Sequence, residues 1–161
     1  MIGQRTIQLR EAVFPKDEQA LHDLIREYVA WLDIDLSYQD FESEMLTLSS
    51  LFTLPKGQYT FAIVDDSIAG GVGFRSMDNS TAEVKRLYVR DAYKGLGLGK
   101  LLMENLLNRL RNLNYERVVL DAVPPTHFSQ GLYKAMGFYE ISPYFNNPVA
   151  GTKFFQFNLS P

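Results

Sequence analysis

Glycine recurs at every second position from Gly95 to Gly99, between an apolar strand-like run and a leucine-rich helical one. Nothing else in the chain constrains the fold so tightly. A turn stripped of side chains lets backbone N–H groups converge on a bulky anion. A helix starting directly behind it adds unpaired first-turn donors and the positive end of its macrodipole. Leu98, Leu101, Leu102, Leu106, Leu110 and Leu113 recur at helical spacing, so that helix is expected to pack on a sheet and hold its own start rigid.

The residues then discriminate among phosphate ligands. The segment reads Lys94-Gly95-Leu96-Gly97-Leu98-Gly99-Lys100. The dinucleotide fingerprint G-x-G-x-x-G fails in both frames, because Lys100 or Leu102 falls in its last position. A P-loop needs glycine where Lys94 sits and Ser or Thr where Leu101 stands. What remains is a basic residue followed by Gly-x-Gly, with Lys85, Arg86, Arg90, Lys94 and Lys100 grouped around it. That charge suits a pyrophosphate, each contact being worth roughly 0.3–2 kcal/mol. The same residues also allow an ordinary glycine-rich turn with a solvated basic face.

Periodicity places the other elements. Strands are expected over residues 6–10, 59–64, 68–75, 82–89, 117–122, 139–141 and 153–159. Helices are expected over 17–31, 38–48, the stretch behind the glycine loop, and 126–136, the last ending at Gly137. Asp65-Asp66-Ser67 reads as a tight hairpin turn, whereas Asn146-Asn147-Pro148 and Gly151 mark a loop. Within 82–89 the apolar parity switches, from even positions at Ala82 and Val84 to odd ones at Leu87 and Val89. A β-bulge near Lys85-Arg86 produces that switch, and so does a two-sided buried strand with imperfect patterning.

Composition excludes several chemistries. There is no cysteine, which removes disulfides, thiolate catalysis and cysteine–metal sites, and no metal is expected. His22 and His127 show no Ser/Asp pairing. At 161 residues a single domain over 1–161 is expected. No apolar run approaches the ~20 residues of a membrane span, and the N-terminus lacks a signal-peptide core, so a cytoplasmic protein without a membrane partner is expected. The net charge of −3 hides an asymmetry: residues 27–55 hold Glu27, Asp33, Asp35, Asp40, Glu42 and Glu44 with no Lys or Arg, leaving 13 acids against 16 bases elsewhere. The bases cluster at the glycine loop and form no long stripe, so nucleic acid is not an expected partner.

Three motifs in order carry a resemblance. Glu83-Val84-Lys85-Arg86-Leu87-Tyr88-Val89, then Lys94-x-x-Gly97-x-Gly99, then Leu132-Tyr133-x-x-x-Gly137-Phe138 is similar to the GNAT family of N-acetyltransferases. The likeness is strongest over residues 81–138, and the element order extends it over nearly the whole chain. It implies a GNAT-like α/β fold: a mixed, mostly antiparallel central sheet of about seven strands flanked by about four helices. It also implies a bulge in strand 82–89, acetyl-CoA as donor, and a small-molecule amine or amino-acid-like molecule as acceptor. A homodimer is compatible with it.

The family's positions carry over residue by residue. Glu83 matches the acidic position and is the candidate base, acting directly or, since an alkylammonium titrates near 10, through water; alone, the residue reads as a solvent-facing strand carboxylate paired with Lys85 or an opposing base. Tyr133 is the candidate acid for the departing thiolate, or a helix tyrosine filling core. Backbone at Leu87 would bind the oxyanion, and backbone at Tyr88 and Val89 the pantetheine. Lys94, Leu96, Gly97, Gly99 and Lys100 would surround the pyrophosphate. Asp121 would orient substrate or cap local backbone.

Two departures touch the cofactor: Lys94 replaces the commoner Arg or Gln, and Thr126 stands where many members have an Asn on the cofactor arm. Gly131 inside the last core helix costs roughly 1 kcal/mol against Ala. The acidic, aromatic segment 28–44 occupies the acceptor region, with Tyr28, Trp31, Tyr38 and Phe41 supplying faces. Its carboxylates suggest a cationic amine, or an ordinary acidic surface. A non-catalytic acyl-CoA-binding module and an ATP-binding domain are the rival functions.

Overall fold

The structure, a computed structural model, describes residues 5–159. Seven strands form one sheet: β1 (Ile7–Glu11), β2 (Gly57–Val64), β3 (Ser67–Ser76), β4 (Thr81–Val89), β5 (Arg117–Ala122), β6 (Tyr139–Ile141) and β7 (Lys153–Asn158). Their spatial order is β1-β2-β3-β4-β5-β7-β6. Every pairing is antiparallel except β4 with β5, which the intervening helix makes parallel. The β2–β3 turn is tight because Asp65 and Asp66 both take left-handed φ values, 48° and 68°, as a two-residue hairpin of that twist requires.

Helix α1 (Glu18–Leu32) and the short helices α2 (Phe41–Leu46) and α3 (Leu48–Leu51) cover one face of the sheet. Helix α4 (Leu98–Asn112) and helix α5 (His127–Met136) flank the other. The α1 side buries Leu21, Leu24, Ile25, Leu48, Tyr59 and Phe61; the α4 side buries Leu102, Leu106, Phe74, Val118 and Phe155. None of these helices is long and apolar enough to cross a membrane.

Two expectations need correction. The single helix expected over 38–48 is broken: a 3-10 turn, Ser37–Gln39, runs into Asp40 at φ 57°, and Thr47 leaves helical geometry between α2 and α3. Thr47 donates its hydroxyl back to the Ser43 carbonyl at 2.8 Å, a local bond that competes with the helix ladder. The described residues thus hold five helices, beside the roughly four expected. Leu101 in α4 and Leu113 just past its end are exposed while Met103 and Leu107 are buried, so the buried stripe runs 98, 102/103, 106/107, 110. That is the 3.6-residue period; the leucine count alone had pointed one position off at two places.

Candidate active site

The site begins where β4 and β5 part. They pair only over Thr81–Arg117, Ala82–Val118 and Glu83–Val119, and beyond that the two strands diverge. On its other side β4 is distorted. Lys85 faces Gly73 and Tyr88 faces Gly71, so Arg86 and Leu87 together oppose Val72. Arg86 sits at φ 58°, a left-handed conformation that a β-bulge imposes on one residue. The parity switch thus has its structural cause: Ala82 and Val84 join the α4-side core before the bulge, and Leu87 and Val89 join it afterwards. Residues 86 and 87 lie outside the regular β3–β4 ladder and border the gap.

A cavity of about 50 Å³ occupies the divergence, bordered by Lys85, Arg86 and Leu87 from β4, Asp121 and Ala122 from β5, and by Tyr28, Thr126 and Tyr133. A wider cleft of about 430 Å³ adjoins it, bordered by Asp40, Glu44, Arg75, Glu83, Lys85 and Phe145 among others. Lys85 borders both.

Glu83 is 2% exposed and lies opposite Arg75 in the β3–β4 ladder. Arg75 Nε donates to its Oε1 at 2.6 Å, and the Tyr144 hydroxyl donates to its Oε2 at 2.6 Å. Burial alone would raise its pKa, but Lys85, Tyr144 and Arg75 outweigh burial and hold it below the ordinary carboxylate range. Glu83 is therefore paired with both Lys85 and the opposing base, yet buried rather than facing solvent. Asp121 behaves oppositely: burial pushes its pKa up, reinforced by Glu83 and resisted by Lys85. Its side chain accepts from Asn147 Nδ2 at 3.0 Å. Lys85 is driven down by burial and by the like charge of Arg86. Tyr133 is 6% exposed, with its phenol pKa raised by burial, and packs beside Phe138 and Phe155.

Beyond β4, the chain passes through a turn at Asp91–Tyr93 into the glycine loop. Gly95 and Gly97 take φ values of 86° and 75°, and Gly97 caps α4. Nothing lies within 4 Å of where a side chain would project from either glycine. Among the described residues, the amides of residues 95–100 donate to no protein acceptor. An open concavity of free N–H groups at a helix start fits a diphosphate. Lys94 lies beside it, 2.8 Å from Asp91 and with its ammonium 5.5 Å from the Trp31 ring centroid; Lys100 is exposed near Glu104.

Comparison with known proteins decides the family. Residues 18–138 match the model of the acetyltransferase (GNAT) family. The chain belongs to the GNAT family of acetyltransferases. An N-acetyltransferase of Schizosaccharomyces pombe is 28% identical, with 99% of each chain covered. Another from Dictyostelium discoideum is 28% identical, covering 78% of this chain and 86% of the relative. Among solved structures, a GNAT acetyltransferase of Staphylococcus aureus superposes with a TM-score of 0.81 at 22% identity, covering 96% of this chain and 100% of that one. The PaiA N-acetyltransferase of Thermoplasma acidophilum, solved with coenzyme A, gives 0.72 at 16% identity, covering 95% and 99%. The fold is that of a GNAT enzyme that binds acyl-CoA and acts as an acyltransferase.

Within this GNAT frame the anticipated residues divide. Leu87, Thr126, Tyr133, Tyr28 and Asp121 border the smaller cavity, and Glu83 borders the wider one. Thr126 gives its hydroxyl proton to the Val123 carbonyl at 2.7 Å, so only its lone pairs face a ligand. Trp31 borders neither cavity; it stacks with Tyr28 and Tyr88 toward Lys94 and the loop. The Tyr38 side chain lies outside the described ones. Part of the negative potential expected of segment 28–44 is neutralised: Glu44 takes both forks of Arg86 at 2.6 and 3.1 Å and Glu42 pairs with Arg26, while Glu27, just ahead of the segment, pairs with Arg90. Sequence reasoning missed Arg75, Tyr144 and Asn147 as site residues, and it grouped Lys85 with the glycine loop, whereas Lys85 borders the cleft beside Glu83. Asn147 had read only as loop punctuation, and Tyr144 reaches Glu83 across 61 positions of chain.

Proposed function

We propose that the protein transfers the acetyl group of acetyl-CoA directly to the nitrogen of a small primary amine, without a covalent enzyme intermediate. The observation that carries this is the divergence of β4 and β5, which opens a cavity flanked by bulge backbone on one side and Tyr133 on the other. Absence of cysteine supports direct attack, since the commonest acyl-carrying nucleophile is missing.

The free amides of residues 95–100 hold the diphosphate, with Lys94, Leu96, Gly97, Gly99 and Lys100 forming its wall. Backbone at Tyr88 and Val89 receives the pantetheine arm, and Thr126 offers it an acceptor. The Leu87 N–H meets the charge that develops on the acyl oxygen; a fixed donor in a dry cleft stabilises that charge without reorganising. Tyr133 keeps its proton at neutral pH and delivers it to the departing sulfur; the burial that raises the phenol raises a thiol in the same cavity too. Glu83 holds its charge in place and accepts the amine proton through water. An ionised carboxylate offers about four lone-pair directions, and Arg75 and Tyr144 use two of them. Tyr28 and Asp121 border the acceptor's path.

Calorimetry with acetyl-CoA and release of free thiol across an amine panel test this reading. Saturable binding with amine-dependent thiol release supports it. Well-folded protein showing neither heat nor saturation with any CoA species overturns it.

A further inference from the structure

The wider cleft holds cations that the proposed chemistry does not use. Lys85 is only 15% exposed, yet its ammonium forms no hydrogen bond among the described residues, and its nearest carboxylate oxygen, on Glu83, is 3.8 Å away. A buried ammonium with three unfilled donors is costly unless something else occupies them. Arg75 gives only Nε to Glu83; its two Nη groups have no partner among the described residues, and its side chain is 51% exposed along the cleft. Glu83 is shared between these two bases, so the trio carries one net positive charge. Arg86 adds none, because Glu44 holds it in a two-point pair. Asp40 also borders the cleft but is exposed to water.

We infer that the acceptor carries a carboxylate next to its amine, as an α-amino acid does, and that the Arg75 guanidinium edge and the Lys85 ammonium seat that carboxylate. This rests on the transfer reading above. A planar carboxylate matches the guanidinium fork, and the ammonium supplies a second donor from the side. The diphosphate has its own donors at the glycine loop, so the cleft's anion comes from the other substrate. Position does the rest: Lys85 borders both cavities, and a carboxylate held there keeps an amine on the adjacent carbon close to Leu87 and Tyr133. This reverses the cationic acceptor suggested by the acidic segment. A purely cationic amine would enter past Arg75 and Lys85 with no anion of its own to offer them.

The experiment uses matched sets of α-amino acid, its α-carboxamide, and the amine left by decarboxylation, with thiol release as readout. The expected kcat/KM for the acid exceeds both analogues by about tenfold or more, the scale of one charge-assisted pair. In Arg75→Gln that ratio collapses toward one, and Arg75→Lys restores part of it. Because the ratio is internal to each variant, a general loss of rate does not disguise it. Thermal shift gives a second readout without turnover: the N-acetyl amino acid stabilises wild-type protein more than its amide does. Equal turnover of acid and amide, or acetylation of no carboxylate-bearing acceptor by protein that binds acetyl-CoA, overturns the inference and leaves the transferase reading standing. Absence of acetyl-CoA binding removes both.

Discussion

The Tyr59 hydroxyl, fully buried in β2, donates to the main-chain carbonyl of Arg86 at 3.0 Å. Arg86 is the residue at left-handed φ in the bulge, a conformation that costs a non-glycine residue of order 1–3 kcal/mol and persists only where its surroundings enforce it. Two partners do so: Tyr59 holds the carbonyl and Glu44 the guanidinium. The ring reaches this place because β3 is nearly bare beside it; a methyl on Gly71 or Gly73 would strike the Tyr59 ring. Tyr59→Phe keeps the packing and strands the carbonyl, so a loss of about 1–3 kcal/mol in unfolding free energy is expected by urea titration. An unchanged midpoint would show that the bulge holds itself.

Tyr133→Phe removes one oxygen from a buried ring and little else. Turnover should fall by about 100-fold, the lower end of what positioned proton donors supply, while the calorimetric affinity for acetyl-CoA stays within about twofold of wild type. A parallel loss of affinity would instead mark Tyr133 as a binding residue.

Gly97 caps α4 at φ 75° beside the free amides. Gly97→Val places a branched side chain in a left-handed position, with strain of about 1–2 kcal/mol, and projects it into the concavity. Acetyl-CoA affinity should therefore drop by more than stability does. Binding to wild type should also weaken as salt rises, because exposed Lys94 and Lys100 are screened. Salt-independent affinity would place the diphosphate elsewhere.

The pH dependence of stability follows from Glu83. Its folded pKa is depressed, so the stability it contributes is fully present above its unfolded pKa of about 4.3 and is lost as pH falls through the lower folded value. Removing a donor in Tyr144→Phe brings the folded pKa back toward normal. Urea titrations from pH 7 downward should thus show the variant losing less stability below about pH 4.3 than wild type does, because its folded and unfolded pKa values lie closer together. Coincident curves would mean that Tyr144 does not hold the carboxylate.

The sequence by itself determined most of the elements, the bulge in β4 and the glycine turn ahead of α4. The glycine loop, the leucine period behind it and the parity switch at Lys85-Arg86 are local signals, and each was readable because a turn, a helix face and a bulge involve residues within a few positions of one another. Tertiary structure decided which charged groups line the cleft. Segment 28–44 looked acidic because sequence counts charges without their partners, and Arg86, dozens of residues further along the chain, cancels the charge of Glu44 in a two-point pair. Glu83 looked like a strand-surface carboxylate until Arg75 from the neighbouring strand and Tyr144 from the β6–β7 loop closed over it. Electrostatic potential in a cleft is a sum over groups brought together by folding, and only the packed sheet fixes which charges enter that sum.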